Sequence, residues 1–107
     1  MARPLYSTRF LATSGAGNQT VDYTVPAGYI AIVRDVTAYL GGDTVEVAQC
    51  YLTDPQCVLL SANGSTDGAG VRQWTGRQVL EAGEVLEALI LTTVFTSLIA
   101  SGYLFTV

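Results

Sequence analysis

The sequence predicts an all-β fold: one domain over residues 1–107, an antiparallel β-sandwich or jelly roll of about eight strands. Three observations carry that expectation. Val, Ile, Thr and Tyr are frequent, apolar and polar residues alternate in short runs, and each run ends in a cluster of Gly, Pro, Asp or Asn.

Leu5 to Ala12 reads as the first strand, followed by a loop from Thr13 to Asn18. Gln19 to Val25 is the second, stopped by Pro26-Ala27-Gly28, because proline cannot donate to a ladder and glycine readily takes positive φ. Tyr29 to Leu40 is the longest strand. Strict alternation places Ile30, Ile32, Val36, Ala38 and Leu40 on one face, interrupted by Arg34, and Tyr29, Val33, Asp35, Thr37 and Tyr39 on the other. Two partly apolar faces predict a strand held between its own core and a neighbouring surface.

Gly41-Gly42-Asp43 is expected to make a hairpin turn into Thr44 to Leu52, where Val45, Val47 and Tyr51 alternate with Glu46 and Ala48. Thr53 to Gln56 turns again, and Cys57 to Ala62 is a short strand. Asn63 to Gly70 reads as the longest loop. Val71 to Leu80 resumes extended structure, Glu81-Ala82-Gly83 turns, and Glu84 to Thr93 and Leu98 to Val107 complete the set. Val85, Leu86, Leu89 and Ile90 also fit a helical period, but the β context on both sides favours a strand.

Half of the residues are hydrophobic and 13% are charged, an apolar balance for a chain of 107 residues. That balance predicts burial between subunits of an oligomer; an unusually apolar monomer is the alternative. The net charge of −4, with five arginines and no lysine, predicts neither nucleic acid nor an anionic membrane as partner. The apolar stretch from Val85 to Ala100 is interrupted by Glu87, Thr92, Thr93, Thr96 and Ser97, so no membrane span is expected. No signal peptide is expected either, since no basic segment precedes a continuous apolar run.

No enzyme is predicted. The chain has no histidine, which removes imidazole bases, catalytic triads and the usual zinc sites. Glu81, Glu84 and Glu87 are close in sequence, but Glu84 and Glu87 point to opposite faces of an extended chain and cannot flank one bond. Asp43, Asp54 and Asp67 lie in loops without the ligand spacing of a calcium motif, so neither metal nor cofactor is expected. Cys50 and Cys57 bracket a turn, and a disulfide between them and two free thiols both remain open. Asn18-Gln19-Thr20 and Asn63-Gly64-Ser65 match the glycosylation pattern and are read as polar loops. Trp74, beside Arg72 and Arg77, is expected either to pack between the sheets or to anchor an interface. Stacking of Trp74 and surface tyrosines on sugar rings would make a carbohydrate- or receptor-binding module, the alternative function.

Three segments together resemble a known group. Tyr23-Thr24-Val25-Pro26-Ala27-Gly28-Tyr29-Ile30-Ala31-Ile32-Val33-Arg34-Asp35-Val36, then Trp74 to Leu86, then Ser101-Gly102-Tyr103-Leu104-Phe105 occur in the order found in small β-sandwich virion proteins of tailed bacteriophages. The resemblance implies a minor tail protein or a capsid decoration protein in the virion, assembled in the host cytoplasm. It implies self-association as a homotrimer or larger, further partners among major capsid or tail proteins, and no catalytic residues. Within that reading, Tyr29, Val33, Arg34, Tyr39, Arg72, Trp74 and Arg77 are the expected contact residues.

Overall fold

Period-two alternation and β-branched content dominate the chain, and the computed structural model, which describes residues 5–42, 45–53 and 56–107, resolves them into eight strands. They are β1 (Leu5–Gly15), β2 (Gln19–Thr24), β3 (Tyr29–Leu40), β4 (Val47–Thr53), β5 (Gln56–Asn63), β6 (Gly70–Leu80), β7 (Val85–Leu91) and β8 (Thr96–Thr106). A single helical turn, α1 (Gly64–Asp67), lies where the sequence reads as loop. It forms because Asn63 Oδ1 caps it, accepting from the Ser65 N–H at 2.9 Å, while Asp67 accepts from the Asn63 N–H at 2.8 Å.

The pairing is nested: β1 with β8, β2 with β7, β3 with β6 and β4 with β5, all antiparallel. The chain thus behaves as one long hairpin wrapped around itself. The pairs β3–β8 and β4–β7 complete two four-stranded sheets, ordered β1-β8-β3-β6 and β2-β7-β4-β5. This is the jelly-roll arrangement. Only the β4–β5 connection stays within a sheet. The Gly41-Gly42 turn therefore is not a hairpin, as the sequence had implied, but a crossing from the larger sheet to the smaller.

The core lies between the sheets. The larger contributes Leu11, Val36, Leu40, Leu80 and Leu98, and the smaller Cys50, Leu52, Leu86 and Ile90, all with almost no exposed surface. Each such side chain stabilises the fold by about 1.5–3 kcal/mol relative to exposure. Alanines at 31, 38, 48, 88 and 100 share this layer, where large residues would hold the sheets apart.

Strict alternation fails in β3. Ala31 and Val33 face the core, then Val36, Ala38 and Leu40, because the register slips between Val33 and Asp35. A bulge at Arg34 inserts one residue and reverses the phase. Ile30 and Ile32 consequently leave the face they were expected to share with Val36, Ala38 and Leu40, and Val33, expected at a contact surface, is buried. A matching slip between Arg9 and Leu11 in β1 turns both Phe10 and Leu11 inward. Gly102 on β8 lies between the two bulges; a Cβ there would fall 1.9 Å from the Ile32 carbonyl oxygen. Only glycine lets β3 bulge against β8.

One end of the sandwich is tied by Glu46, which has no exposed surface. Its carboxylate accepts from the Gly41 and Gly42 N–H groups, each at 2.7 Å, and from the Thr96 hydroxyl. Gly41 cannot be larger, since a Cβ would meet Val94 Cγ2 at 2.6 Å, and Gly42 has φ +92°. Glu46 therefore fastens the β3–β4 crossing to the start of β8. The sequence had suggested an ordinary alternating strand position for it.

Candidate functional site

The outer face of the larger sheet is the candidate surface, and register alone assembles it. Tyr39 stands between Val71 of β6 and Ser97 of β8, and Thr37 between Gln73 and Ile99. Asp35 stands between Thr75 and Ser101, with Arg9 of β1 beyond, and Ile32 between Val79 and Tyr103. Apolar residues thus flank a charged centre. Val71 is 60% exposed, Tyr39 44%, Val79 42%, Tyr103 40% and Ile99 39%, a degree of apolar exposure unusual for a solvated sheet face. Tyr39 also pairs with Phe95, ring centroids 6.3 Å apart.

The bulges collect arginines at that centre. Arg9 is opposite Ser101. Arg34 occupies the register break between Val33–Gly102 and Asp35–Ser101. Arg77 falls in the break on the other side, between Thr75 and Gln78. All three are exposed and form one band across the four strands. Arg9, Arg34, Asp35 and Tyr103 line a shallow depression of about 340 Å³ at its middle.

The opposite broad face has the contrary charge. No strand of the smaller sheet carries Lys or Arg, and Asp22, Glu87 and Tyr51 stand side by side across β2, β7 and β4. Asp22 directly opposite Glu87 is an unfavourable like-charge pair within the fold. Burial first, then Glu87, which takes a hydrogen bond from it, and more weakly Asp22 hold the Tyr51 phenol above its ordinary pKa.

Of the residues predicted for contact, Arg34, Tyr39 and Arg77 share this outer face. The others do not. Val33 lies in the core at 1% exposure, a correction that follows from the Arg34 bulge. Trp74 stands opposite buried Val36 and packs half-buried against the core, with its ring over Gly76, where a Cβ would come within 2.8 Å. Tyr29 also packs against the core. Arg72 ties the edge strand to α1, donating to the Val71 carbonyl at 3.1 Å and to that of Asp67. Arg9, Ile32, Ile99 and Tyr103 were missed. The one signal that could have found them is Gly102, whose place mid-strand hints at a bulge opposite.

The remaining chemical candidates have structural roles. Cys50 is buried opposite Leu60 while Cys57 is exposed opposite Leu52, so the two thiols are free and the disulfide alternative is overturned. Glu84 accepts from the Glu81 N–H at 2.6 Å and closes the β6–β7 turn. Asn18 accepts from the Thr92 N–H at 3.1 Å, joining two distant loops. Asp43 and Asp54 lie outside the described residues. Among the described residues no group of His, Cys, Asp or Glu could hold a metal ion, and no helix is long and apolar enough to cross a membrane.

No protein-family model matches the chain, and no curated protein matches its sequence. Solved structures do match in fold. The Drosophila NLP core, described for pentamer formation and histone binding, aligns at a TM-score of 0.53 with 7% identity, over 90% of this chain and 98% of that one. A chain from the acid-stable capsid of Helicobacter pylori bacteriophage KHP30 aligns at 0.50 with 10% identity, over 95% and 93%. Infectious bursal disease virus, Gx strain, aligns at 0.40 with 13% identity, over 97% of this chain and 31% of that one. At such identities the likeness is one of fold: the chain is a β-sandwich that shares its fold with the NLP core and with a chain of a bacteriophage capsid.

Proposed function

We propose that this chain is a non-catalytic structural protein of a tailed-bacteriophage virion, packing on the capsid shell as a decoration protein or in the tail as a minor tail protein. The observation that carries this reading is the outer face of the β1-β8-β3-β6 sheet, where exposed Tyr39, Val71, Ile99 and Tyr103 surround an arginine band over a shallow depression. Such a face suits a protein partner: aromatic and arginine side chains dominate the energetics of interfaces. The fold shared with a bacteriophage capsid chain supports the setting, as does the sequence resemblance to small virion proteins. Self-association belongs to the same reading, with further virion proteins as the second class of partner.

The test is the composition of the particle. Mass spectrometry of gradient-purified virions from the same genome is expected to find the chain in a copy number set by capsid or tail symmetry. Its presence in infected lysate but complete absence from purified particles would overturn the reading. Sugar stacking on Trp74, the alternative raised by the sequence, has only part of that ring to use, because it packs half-buried against the core.

A further inference from the structure

The two broad faces of the molecule are complementary to one another. Among the described residues, all four arginines on strands, Arg9, Arg34, Arg72 and Arg77, belong to the larger sheet, against a single acid, Asp35. The smaller sheet holds Asp22 and Glu87 and no basic residue. Both sets are organised. Three arginines form one band across the strands, and the two acids form one row with Tyr51. The band also has a recess of about 340 Å³ to receive side chains.

We propose that copies of this chain associate front to back, the outer face of β1-β8-β3-β6 on one copy lying against the outer face of β2-β7-β4-β5 on the next. The band of Arg9, Arg34 and Arg77 then sits over the row of Asp22 and Glu87. The contact neutralises the like-charge pair that the lone fold tolerates at a cost, and covers the apolar flanks of the arginine face. The opposite choice, arginine face on arginine face, would set like charges against one another. The smaller sheet limits the contact: four strands of 6–8 residues present roughly 19 × 23 Å, or about 440 Å² before side-chain relief is counted. That is about half of the roughly 800 Å² per partner of a standard interface, so charge complementarity and repetition of the contact, rather than area, carry the association. Because the two patches differ and lie on opposite sides of the sandwich, the contact is heterologous and repeats from copy to copy as a stack rather than pairing as a two-fold dimer. The inference names one partner within the structural reading above and rests on it for the setting.

Sedimentation velocity on the purified chain tests the contact. Two charge reversals are compared, Arg9→Glu with Arg34→Glu, and Asp22→Arg with Glu87→Arg, each checked for native circular dichroism. Each double variant alone is expected to self-associate at least about tenfold more weakly than the parent. Mixed in equal amounts they are expected to recover association to within about threefold, because every interface in an alternating stack again joins opposite charges. Should a reversal perturb folding, Arg34→Gln and Glu87→Gln replace it, and both are expected to weaken association and flatten its salt dependence. A parent chain that stays monomeric at millimolar concentration overturns the contact. So does a reversal of the acidic row that leaves association unchanged, the result for arginine faces meeting each other. Either failure leaves binding to a different virion protein intact, so the two readings fall separately.

Discussion

At the scale of single residues, the clearest chemical constraint is a carboxylate withdrawn from water. Glu46 meets two glycine N–H groups at 2.7 Å and the Thr96 hydroxyl, and charge-assisted bonds of this kind are worth about 1.5–3 kcal/mol each. Glu46→Gln keeps the shape but offers one oxygen in place of two, turning an amide NH₂ toward a backbone donor. We expect a loss of about 2–3 kcal/mol in chemical denaturation; a variant within about 0.5 kcal/mol of the parent would show that the glycine donors need no anion. Cys50 makes a second prediction. Burial pushes its thiol from 9.0 up to about 12, so the folded state favours the neutral form. Stability from this group is complete below pH 9 and lost as pH rises toward 12, where the unfolded chain alone ionises. The parent should lose about 1.4 kcal/mol per pH unit more than Cys50→Ala across that window. In the native state a thiol reagent should label the exposed Cys57 alone, and fast labelling of both would contradict the burial of Cys50.

At the scale of elements, the bulges decide which side chains reach the surface. Gly102→Ala would place a Cβ 1.9 Å from the Ile32 carbonyl oxygen and 3.0 Å from the Arg34 N–H, against backbone that cannot swing aside. Overpacking usually costs about 1–3 kcal/mol, and a clash with main chain belongs at the upper end. Gly102→Ala should therefore lose about 3 kcal/mol, whereas Ser101→Ala, next to it on the outer face, should stay within about 0.5 kcal/mol. Similar Tm values for the two would deny the bulge its role. The same bulges set the limit of what could be read from sequence. Strands β2, β6 and β7 were legible because turn residues bound them and their alternation is unbroken. The faces of β3 were not: one inserted residue at Arg34 reverses every later position, and nothing local to Tyr29–Leu40 announces it. Hence Val33, expected at a contact surface, lies in the core, while Arg34, Tyr39 and Arg77, expected there too, are exposed on the outer face. Turns were misread for a related reason. Gly41-Gly42 has the chemistry of a hairpin, and only the pairing of β3 and β4 with strands far along the chain shows that it changes sheets there.

At the scale of the whole molecule, the nested topology orders the events of folding. The β4–β5 pair closes over a few residues, whereas the β1–β8 ladder joins Leu5 to Phe105 at its far end. Closing the longer loop costs on the order of 2–3 kcal/mol more chain entropy, at about 0.6 kcal/mol per doubling of length. A fold of such non-local pairs should relax in milliseconds to seconds. Its transition state should contain the β4–β5 hairpin and the β7 strand beside it, with β1 docking late. Two buried leucines separate these orders. Leu52→Ala in β4 and Leu11→Ala in β1 both remove well-packed side chains and should each destabilise by about 2–5 kcal/mol. Leu52→Ala should slow folding, with φ above about 0.5, and Leu11→Ala should mainly speed unfolding, with φ below about 0.3. The reverse pattern in stopped-flow chevrons would place the nucleus in the larger sheet, where β8 lies between β1 and β3, and would mean that the apolar gain of that sheet outweighs the entropy of closing it.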